Sequence, residues 1–160
     1  MNYWFTADWH LGHYNIIKHC DRPFKNLNHM DDVIINNCLK QVKNNDVVYF
    51  LGDFAWRDWY YKYLLPNLPG RWIFVPGNHD WQYQKRNENQ KLLDIKINGR
   101  NFTLCHYPLL TWYKQHHHAI HLHGHCHGTL KDYHMRRIDV GVDCWQYKLV
   151  DYDKIIGRMK

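Results

Sequence analysis

Side chains that can bind a metal ion follow several short apolar runs in this sequence. Five such runs, which are typical of β-strands, lead directly into Asp, Asn or His residues. The segments are Asp8-Trp-His10, Gly52-Asp53, Gly77-Asn78-His79-Asp80, His106 and Gly124-His125-Cys-His127. Because loops after different strands converge at the strand ends of an α/β sheet, we expect these side chains to meet. Carboxylates, imidazoles and a carboxamide together suit a divalent transition metal better than Ca²⁺.

The order of these segments is more specific than any one of them. Asp-x-His also occurs at Asp132-Tyr-His134, and several overlapping His-x-His pairs lie between His116 and His127. Gly-Asn-His-Asp is rarer and occurs once, after an apolar run at residues 72–75 and a proline turn. Five endings of this kind in a short chain are difficult to explain by packing alone. The set therefore predicts one metal-binding site.

Composition agrees with such a site. The chain has 14 histidines among 160 residues, and neutral imidazole is the commonest metal ligand. The formal net charge is +6, with a sequence pI near 9.0, which favours a phosphate-bearing or polyanionic partner. Apolar residues make up 45% and charged residues 22%, which excludes a disordered chain.

The length predicts a single domain over residues 1–160. We expect no membrane partner, because no apolar run approaches the roughly 20 residues that cross a bilayer. The N-terminus reads as a strand rather than a secretory signal, and we expect a cytoplasmic protein. The five cysteines are odd in number and lack CxxC spacing, which predicts reduced thiols.

The elements that must position the site follow from periodicity and turn residues. Strands are predicted at 2–7, 46–51, 71–75, 91–97, 100–105, 118–122 and 135–142, and helices at 29–43, 57–65 and 151–159. Asn28 is the predicted N-cap of the first helix, with Asp31 and Asp32 in its first turn. Pro66 and Pro69 should end the second helix, and a type I′ turn at residues 98–99 should form a hairpin. An early βαβαβ order followed by antiparallel strands predicts a mixed α/β fold.

The ordered segments resemble the calcineurin-like metallophosphoesterase superfamily, and look closest to its small members without a cap domain, which are common in bacteria and phages. Leu11-Gly-His13, Arg22-Pro-Phe24 and Val140-Gly-Val-Asp143-Cys-Trp145 are also similar to that group. The likeness runs from Asp8 to about Asp151. It implies one α/β domain in which a β-sandwich is flanked by helices, as four layers α/β/β/α.

The resemblance also implies two divalent metal ions. Mn²⁺ is the favoured ion, with Fe, Zn²⁺ or Ni²⁺ as alternatives. The first ion would be held by Asp8, His10, Asp53 and His127, and the second by Asp53, Asn78, His106 and His125. His79 would face the phosphate as a general acid or transition-state donor, and Asp80 would orient it. Gly124 and the family pattern favour His125 and His127 as ligands over His121 and His123.

The implied activity is hydrolysis of a phosphodiester or phosphomonoester by a hydroxide that bridges the two ions. A site without a cap should be open, which favours a nucleotide or nucleic-acid substrate. A phosphoprotein phosphatase is one alternative. A non-catalytic scaffold that binds protein or nucleic acid is another. The pattern makes no prediction about oligomeric state.

Several residues near these segments allow two interpretations. The loop aromatics either stack on a nucleobase or cap the sheets, and capping is favoured for most: Trp9, Tyr14, Trp56, Trp59, Trp81, Trp112 and Tyr113. Five basic side chains either contact phosphate or lie at a solvated surface, which is favoured for each: Arg22, Arg57, Lys85, Arg86 and Lys114. His13 either lines the pocket or caps the loop after the first strand. The residues from His116 to His118 are expected to form a solvated turn.

Overall fold

Two four-stranded sheets organise the chain in the computed structural model, which describes residues 1–81, 91–131 and 134–159. The first sheet has the order β3 (Arg71–Phe74), β2 (Val47–Phe50), β1 (Tyr3–Thr6) and β8 (Val150–Asp151). The second has the order β4 (Leu92–Ile97), β5 (Arg100–Cys105), β6 (Ile120–His123) and β7 (Arg137–Asp139). Lys85 and Arg86, two of the candidate phosphate contacts, lie outside the described residues.

The first sheet carries three of the predicted site segments at one edge. Strands β1, β2 and β3 are parallel, with Tyr3 opposite Val47 and Val47 opposite Arg71. Strand β8, which the sequence did not predict, pairs with β1 in the antiparallel direction. Because the three parallel strands point the same way, the segments that begin at Asp8, Gly52 and Gly77 leave the sheet at a common edge.

The second sheet is partly parallel, which corrects the antiparallel arrangement predicted for this half. Strands β4 and β5 form the predicted hairpin, and both turn residues, Asn98 and Gly99, have positive φ, as a type I′ turn requires. Strands β5, β6 and β7, however, run parallel to one another. The connections over residues 106–119 and 124–136 are long enough to return the chain to the starting edge.

Helix α2 (Leu27–Gln41) begins earlier than predicted. Its N-cap is Asn26, whose side chain accepts a hydrogen bond from the His29 N–H at 2.9 Å, so the assignment of Asn28 was wrong. Asp31 therefore lies beyond the first turn. It is buried and accepts hydrogen bonds from the Gly12 N–H and from the Tyr60 hydroxyl instead. Helices α1 (Tyr14–His19) and α3 (Tyr152–Gly157) are shorter.

The helix predicted at residues 57–65 is wound unusually. Residues Tyr60–Leu64 form a π-helical turn, and Leu65–Asn67 form a 3₁₀ turn that contains Pro66. π-helical turns are rare and often occur near functional sites. Further 3₁₀ turns lie at Gln115–His117 and Val142–Trp145, and the first of these is the exposed turn predicted for the His116 region.

Alternation along the strands produces two apolar cores. Val48 and Phe50 of β2 face a cluster that includes residues of α1 and α2, whereas Val47 and Tyr49 face residues of β5 and β6. The first cluster therefore lies between the helices and the first sheet, and the second lies between the two sheets. Two mixed sheets flanked by helices confirm the predicted α/β fold.

Two of the loop aromatics belong to the interior. Trp9 is fully buried among Phe50, Phe54 and Trp72. Trp112 is also buried, and its indole N–H donates to the Ala119 carbonyl at 3.0 Å. Capping of the core, the favoured interpretation, is thus correct for these two rings.

The five cysteines all lie among the described residues, and each has a free thiol. Across residues 1–81, 91–131 and 134–159, the helices are too short or too polar to traverse a bilayer.

Candidate metal centre

Side chains from both sheets meet around Asp53. Its Oδ2 lies 3.5 Å from His10 Nε2 and 3.4 Å from His106 Nε2. Two groups of possible ligand atoms, each within 4.8 Å of one another, overlap here: Asp8, His10 and His127, and Asp8, Asp53 and His106. The predicted first-ion ligands and one second-ion ligand therefore meet.

Asn78 and His125 complete the predicted set. The Asn78 Oδ1 lies 3.0 Å from His106 Nε2 and 3.1 Å from His125 Nδ1. The backbone N–H of His125 donates to Asp8 Oδ2 at 2.9 Å, which joins the second sheet to the first. The fold thus brings together all seven residues that were predicted from the sequence to be metal ligands.

His121 and His123 are oriented differently. Both are buried in β6, where His121 Nδ1 donates to the Thr103 carbonyl at 2.9 Å. His123 Nδ1 donates to the Gly124 carbonyl at 2.8 Å. Both histidines therefore bond to backbone carbonyls in the second sheet or directly after β6. His125 and His127, in contrast, belong to the loop that approaches Asp8.

Left-handed backbone is concentrated at the site. Five predicted ligands have φ between 48° and 70°: Asp8, His10, Asp53, His125 and His127. Non-glycine residues in this region cost about 1–3 kcal/mol each, and such strain clusters at functional sites. The strain lies at the strand-to-loop junctions, where the chain must turn the side chains toward one point.

Two glycines leave room that the ligands occupy. A Cβ on Gly52, which has φ of +92°, would lie 2.5 Å from His106 Nδ1. A Cβ on Gly141 would lie 2.5 Å from Asp8 Oδ2. Both positions therefore require glycine for the ligands to keep their places. Gly52 was predicted from its segment, whereas Gly141 was not given a role.

The ligand histidines are held through their second ring nitrogens. His106 Nδ1 donates to the Leu51 carbonyl at 2.8 Å, and His127 Nδ1 donates to Asp143 Oδ2 at 2.8 Å. These contacts leave Nε2 of each ring for the centre. Histidine ligands of metals are usually fixed in this way by a carbonyl or a carboxylate.

Arg22 and Asp143 form a buried pair behind the centre. Arg22 Nε and Nη2 each donate to the Asp143 carboxylate at 2.8 Å, and Nη2 also donates to the Asp8 carbonyl at 2.7 Å. Arg22 is 3% exposed, so it is neither a phosphate contact nor a solvated surface residue, and both sequence interpretations were wrong. Asp143 was missed as a functional residue, although its motif had been noted.

Asp80 joins the loop after β2 to the loop after β3. Its carboxylate accepts hydrogen bonds from the N–H groups of Asp53, Phe54 and Gly77 at 2.7–2.9 Å, and from the Tyr61 hydroxyl. The predicted orienting role of Asp80 toward His79 stays a prediction. Asp80 acts on the backbone that carries both Asp53 and His79. Tyr61, on the π-helical turn, was not anticipated.

His79 lies at the rim of the centre. Its backbone N–H donates to Asp53 Oδ1 at 2.8 Å, and its ring centroid is 5.3 Å from that of His10. The His79 ring also has His13 and Trp56 as neighbours, at centroid distances of 6.0 and 5.6 Å. His13 makes no side-chain cap to α1, which favours its interpretation as a pocket residue.

Burial sets the electrostatics of the centre. It raises the pKa of Asp8 and lowers the pKa of His10, which keeps this imidazole neutral. Burial also opposes ionisation of Asp53, but the hydrogen bond and charge of His106 outweigh it and lower the pKa of Asp53. For His127, burial lowers the pKa, but the hydrogen bonds of Asp143 and Cys20 and the charge of Asp8 together outweigh it and raise the pKa.

Divalent cations fit this arrangement. His10 Nε2 is buried and has no hydrogen-bond partner among the described residues, although it points toward Asp53. A buried polar atom without a partner is costly, and a bound cation would satisfy it. Two buried carboxylates beside it would supply negative charge.

Comparison with known proteins extends these observations over the whole chain. A family model for calcineurin-like phosphoesterases matches residues 1–154. An uncharacterised protein of Methanocaldococcus jannaschii is 34% identical over 162 residues, which cover 96% of this chain and 88% of that protein. The Gene 66 protein of Mycobacterium phage D29 is 28% identical, with 96% and 94% covered.

A solved structure is similar in fold. The crystal structure of a protein of unknown function from Aquifex aeolicus has a TM-score of 0.77 and 29% sequence identity, and the alignment covers 98% of each chain. The order of the motifs and these whole-chain matches indicate the same family.

Proposed function

The chain belongs to the calcineurin-like phosphoesterase family, as its motif order predicted, and we propose that it is a metal-dependent hydrolase of phosphate esters. The observation that carries the proposal is the position of Asp53 Oδ2, 3.5 Å from His10 Nε2 and 3.4 Å from His106 Nε2. A carboxylate shared by two imidazoles from different strand ends suits a pair of cations.

Two divalent ions would be divided between the two groups of ligands. Asp8, His10, Asp53 and His127 would hold one ion, and Asp53, Asn78, His106 and His125 would hold the other. The mixed nitrogen and oxygen donors favour Mn²⁺, with Fe, Zn²⁺ or Ni²⁺ as alternatives. When bound, such ions polarise phosphoryl oxygens and make water a stronger nucleophile.

The chain's own residues would then position the ester and complete proton transfer. Asp53 offsets the repulsion between two cations, and its Oδ1 holds the His79 backbone at 2.8 Å. The His79 ring would donate a proton to the leaving oxygen as the P–O bond breaks, which would release an alcohol. Asp80 would be a positioning residue, because its hydrogen bonds fix the backbone on both sides.

A phosphodiester in a nucleotide or nucleic acid is the proposed substrate. Asn78 and His125 are exposed and His79 is half-buried, so the centre opens to solvent. The formal charge of +6 favours a polyanion. The scaffold alternative is disfavoured because all seven nominated ligands and His79 are present together.

The test compares two esters in metal-stripped protein reloaded with Mn²⁺. Bis-p-nitrophenyl phosphate should be hydrolysed faster than p-nitrophenyl phosphate, and chelation should stop both reactions. Asp53→Asn should abolish turnover. For an ester whose leaving group is an alkyl alcohol, His79→Ala should slow hydrolysis by about 10²–10⁴. The p-nitrophenyl esters should be slowed less, because p-nitrophenolate leaves without a proton.

Exposed Asp153 and His116 provide matched controls. Asp153→Asn and His116→Ala should leave both rates unchanged. Absence of turnover by the wild type with every divalent metal would reject the phosphoesterase proposal. Unchanged turnover of the alkyl ester in His79→Ala would reject the proton-donor role alone.

A further inference from the structure

An exposed tryptophan lies beside His79. Among the loop aromatics, Trp9 and Trp112 are buried, whereas 51% of the Trp56 side chain is exposed. Its indole ring stacks on the His13 imidazole at a centroid distance of 4.3 Å and an interplanar angle of 13°. The α1 cap does not require this imidazole, because His13 makes no side-chain cap hydrogen bond. The stacked pair therefore calls for another explanation.

The position of the pair relative to His79 suggests one. The His79 ring centroid is 5.6 Å from Trp56 and 6.0 Å from His13, and its backbone is fixed to Asp53. In an in-line displacement the leaving group departs opposite to the nucleophile, next to the group that protonates it. A leaving group protonated by His79 would therefore lie against Trp56 and His13.

An open groove of about 270 Å³ adjoins these two side chains. It is lined by Gly12, His13, Tyr14, Asn15, Trp56 and Arg57. This volume is slightly below the range of roughly 300–1,000 Å³ for pockets that hold drug-sized ligands, which suits one ring system with its sugar. Trp56 supplies an aromatic surface, and exposed Arg57 supplies positive charge at the same groove.

We propose that Trp56, backed by His13, is the subsite for the leaving group, and that this group carries a flat aromatic ring of the nucleobase type. The inference rests on the proposed phosphoesterase function and names the part of the substrate that this site selects. Aromatic side chains bind bases by stacking without requiring a particular base. The preference is therefore for a base over no base, not for one nucleobase over another.

The test measures binding of two ligands that cannot be hydrolysed. They are the methylene phosphonate analogues of adenosine 5′-monophosphate and of ribose 5-phosphate, which differ only in the base. Calorimetric titration of the Mn²⁺-loaded protein should give about tenfold tighter binding for the adenosine compound. Trp56→Ala should reduce this ratio to less than about twofold, and Trp56→Phe should retain part of it.

Trp59 provides the matched control, because it is 57% exposed and contacts Tyr60 edge-on and Tyr63 at a tilt. Trp59→Ala should keep the tenfold ratio. An unchanged ratio in Trp56→Ala, or no preference in the wild type, would overturn the subsite. Bound Mn²⁺ should be the same in all variants, which separates loss of stacking from loss of the metal centre.

Hydrolysis of the two parent phosphate esters separates this proposal from the previous one. Turnover without a base preference would reject the subsite and retain the phosphoesterase. A base preference in binding without turnover of any ester would reject the phosphoesterase and retain the aromatic subsite.

Discussion

At the residue scale, Asp143 links the centre to the protein interior. Its carboxylate accepts one hydrogen bond from His127 and two from Arg22, and Arg22 continues to the backbone carbonyl of Asp8. Two ligands of the candidate centre are thus connected through one carboxylate. Partners of this kind fix the tautomer and the direction of a histidine ligand.

We expect Asp143→Asn to weaken Mn²⁺ binding about 10- to 100-fold, because His127 loses the negative charge that supports it. Calorimetric titration of the metal-stripped protein measures this change, with Asp153→Asn as the exposed control. Urea unfolding of the metal-free variant measures the separate cost of losing the Arg22 pair. If stability falls while the Mn²⁺ dissociation constant stays within twofold, Asp143 has only a structural role.

At the scale of elements, the start of helix α2 distinguishes two asparagines. The Asn26 side chain caps the first turn, whereas Asn28 is exposed inside it. Asn26→Ala should lower the free energy of unfolding by about 1 kcal/mol, because an N–H group loses its acceptor. Asn28→Ala should change it by a few tenths of a kcal/mol at most. Urea unfolding of both variants tests the assignment, and an equal loss in the two would contradict it.

A buried histidine connects strand β6 to the loop after β5. His121 Nδ1 donates to the Thr103 carbonyl, and Nε2 lies 3.0 Å from the Leu109 N–H and 3.2 Å from the Tyr107 carbonyl oxygen. Burial lowers the pKa of His121 from 6.5 to about 4. The unfolded chain therefore takes up a proton at higher pH than the folded chain does.

Stability from His121 should be complete above pH 6.5 and should fall as the pH approaches 4, by at most about 1.4 kcal/mol per pH unit. Urea unfolding between pH 7 and pH 4.5 measures the slope. His121→Asn should lower stability at pH 7 and make the slope shallower, whereas His116→Ala on the exposed turn should not. Parallel slopes for the wild type and His121→Asn would contradict this account.

At the scale of the whole molecule, the sequence predicted which side chains meet at the candidate centre, but not which residues hold those side chains in place. Asp8, Asp53 and Asn78 follow strands whose apolar runs are visible in the sequence, and parallel pairing brings their ends together. The Arg22–Asp143 pair joins residues 121 positions apart, and no periodic pattern reports such a contact. The parallel direction of the strands in the second sheet was missed for a related reason. An apolar run predicts a strand but does not indicate the direction in which it pairs with its neighbour.

The strained backbone could not be anticipated either. Asp, Asn and His adopt left-handed backbone more often than other non-glycine residues, but no sequence pattern marks which of them do so, and Asp8, Asp53 and His125 adopt it at the candidate centre. Tertiary contacts that hold both sheets at one edge override the local preference there. The π-helical turn is joined to Asp80 by the Tyr61 hydroxyl.

The most direct test of the two-ion centre is anomalous diffraction from crystals that contain Mn²⁺. We predict two peaks about 3.5–4 Å apart, with the Asp53 carboxylate between them and His10 and His106 on opposite ions. A single peak, or peaks away from Asp53, would contradict the account.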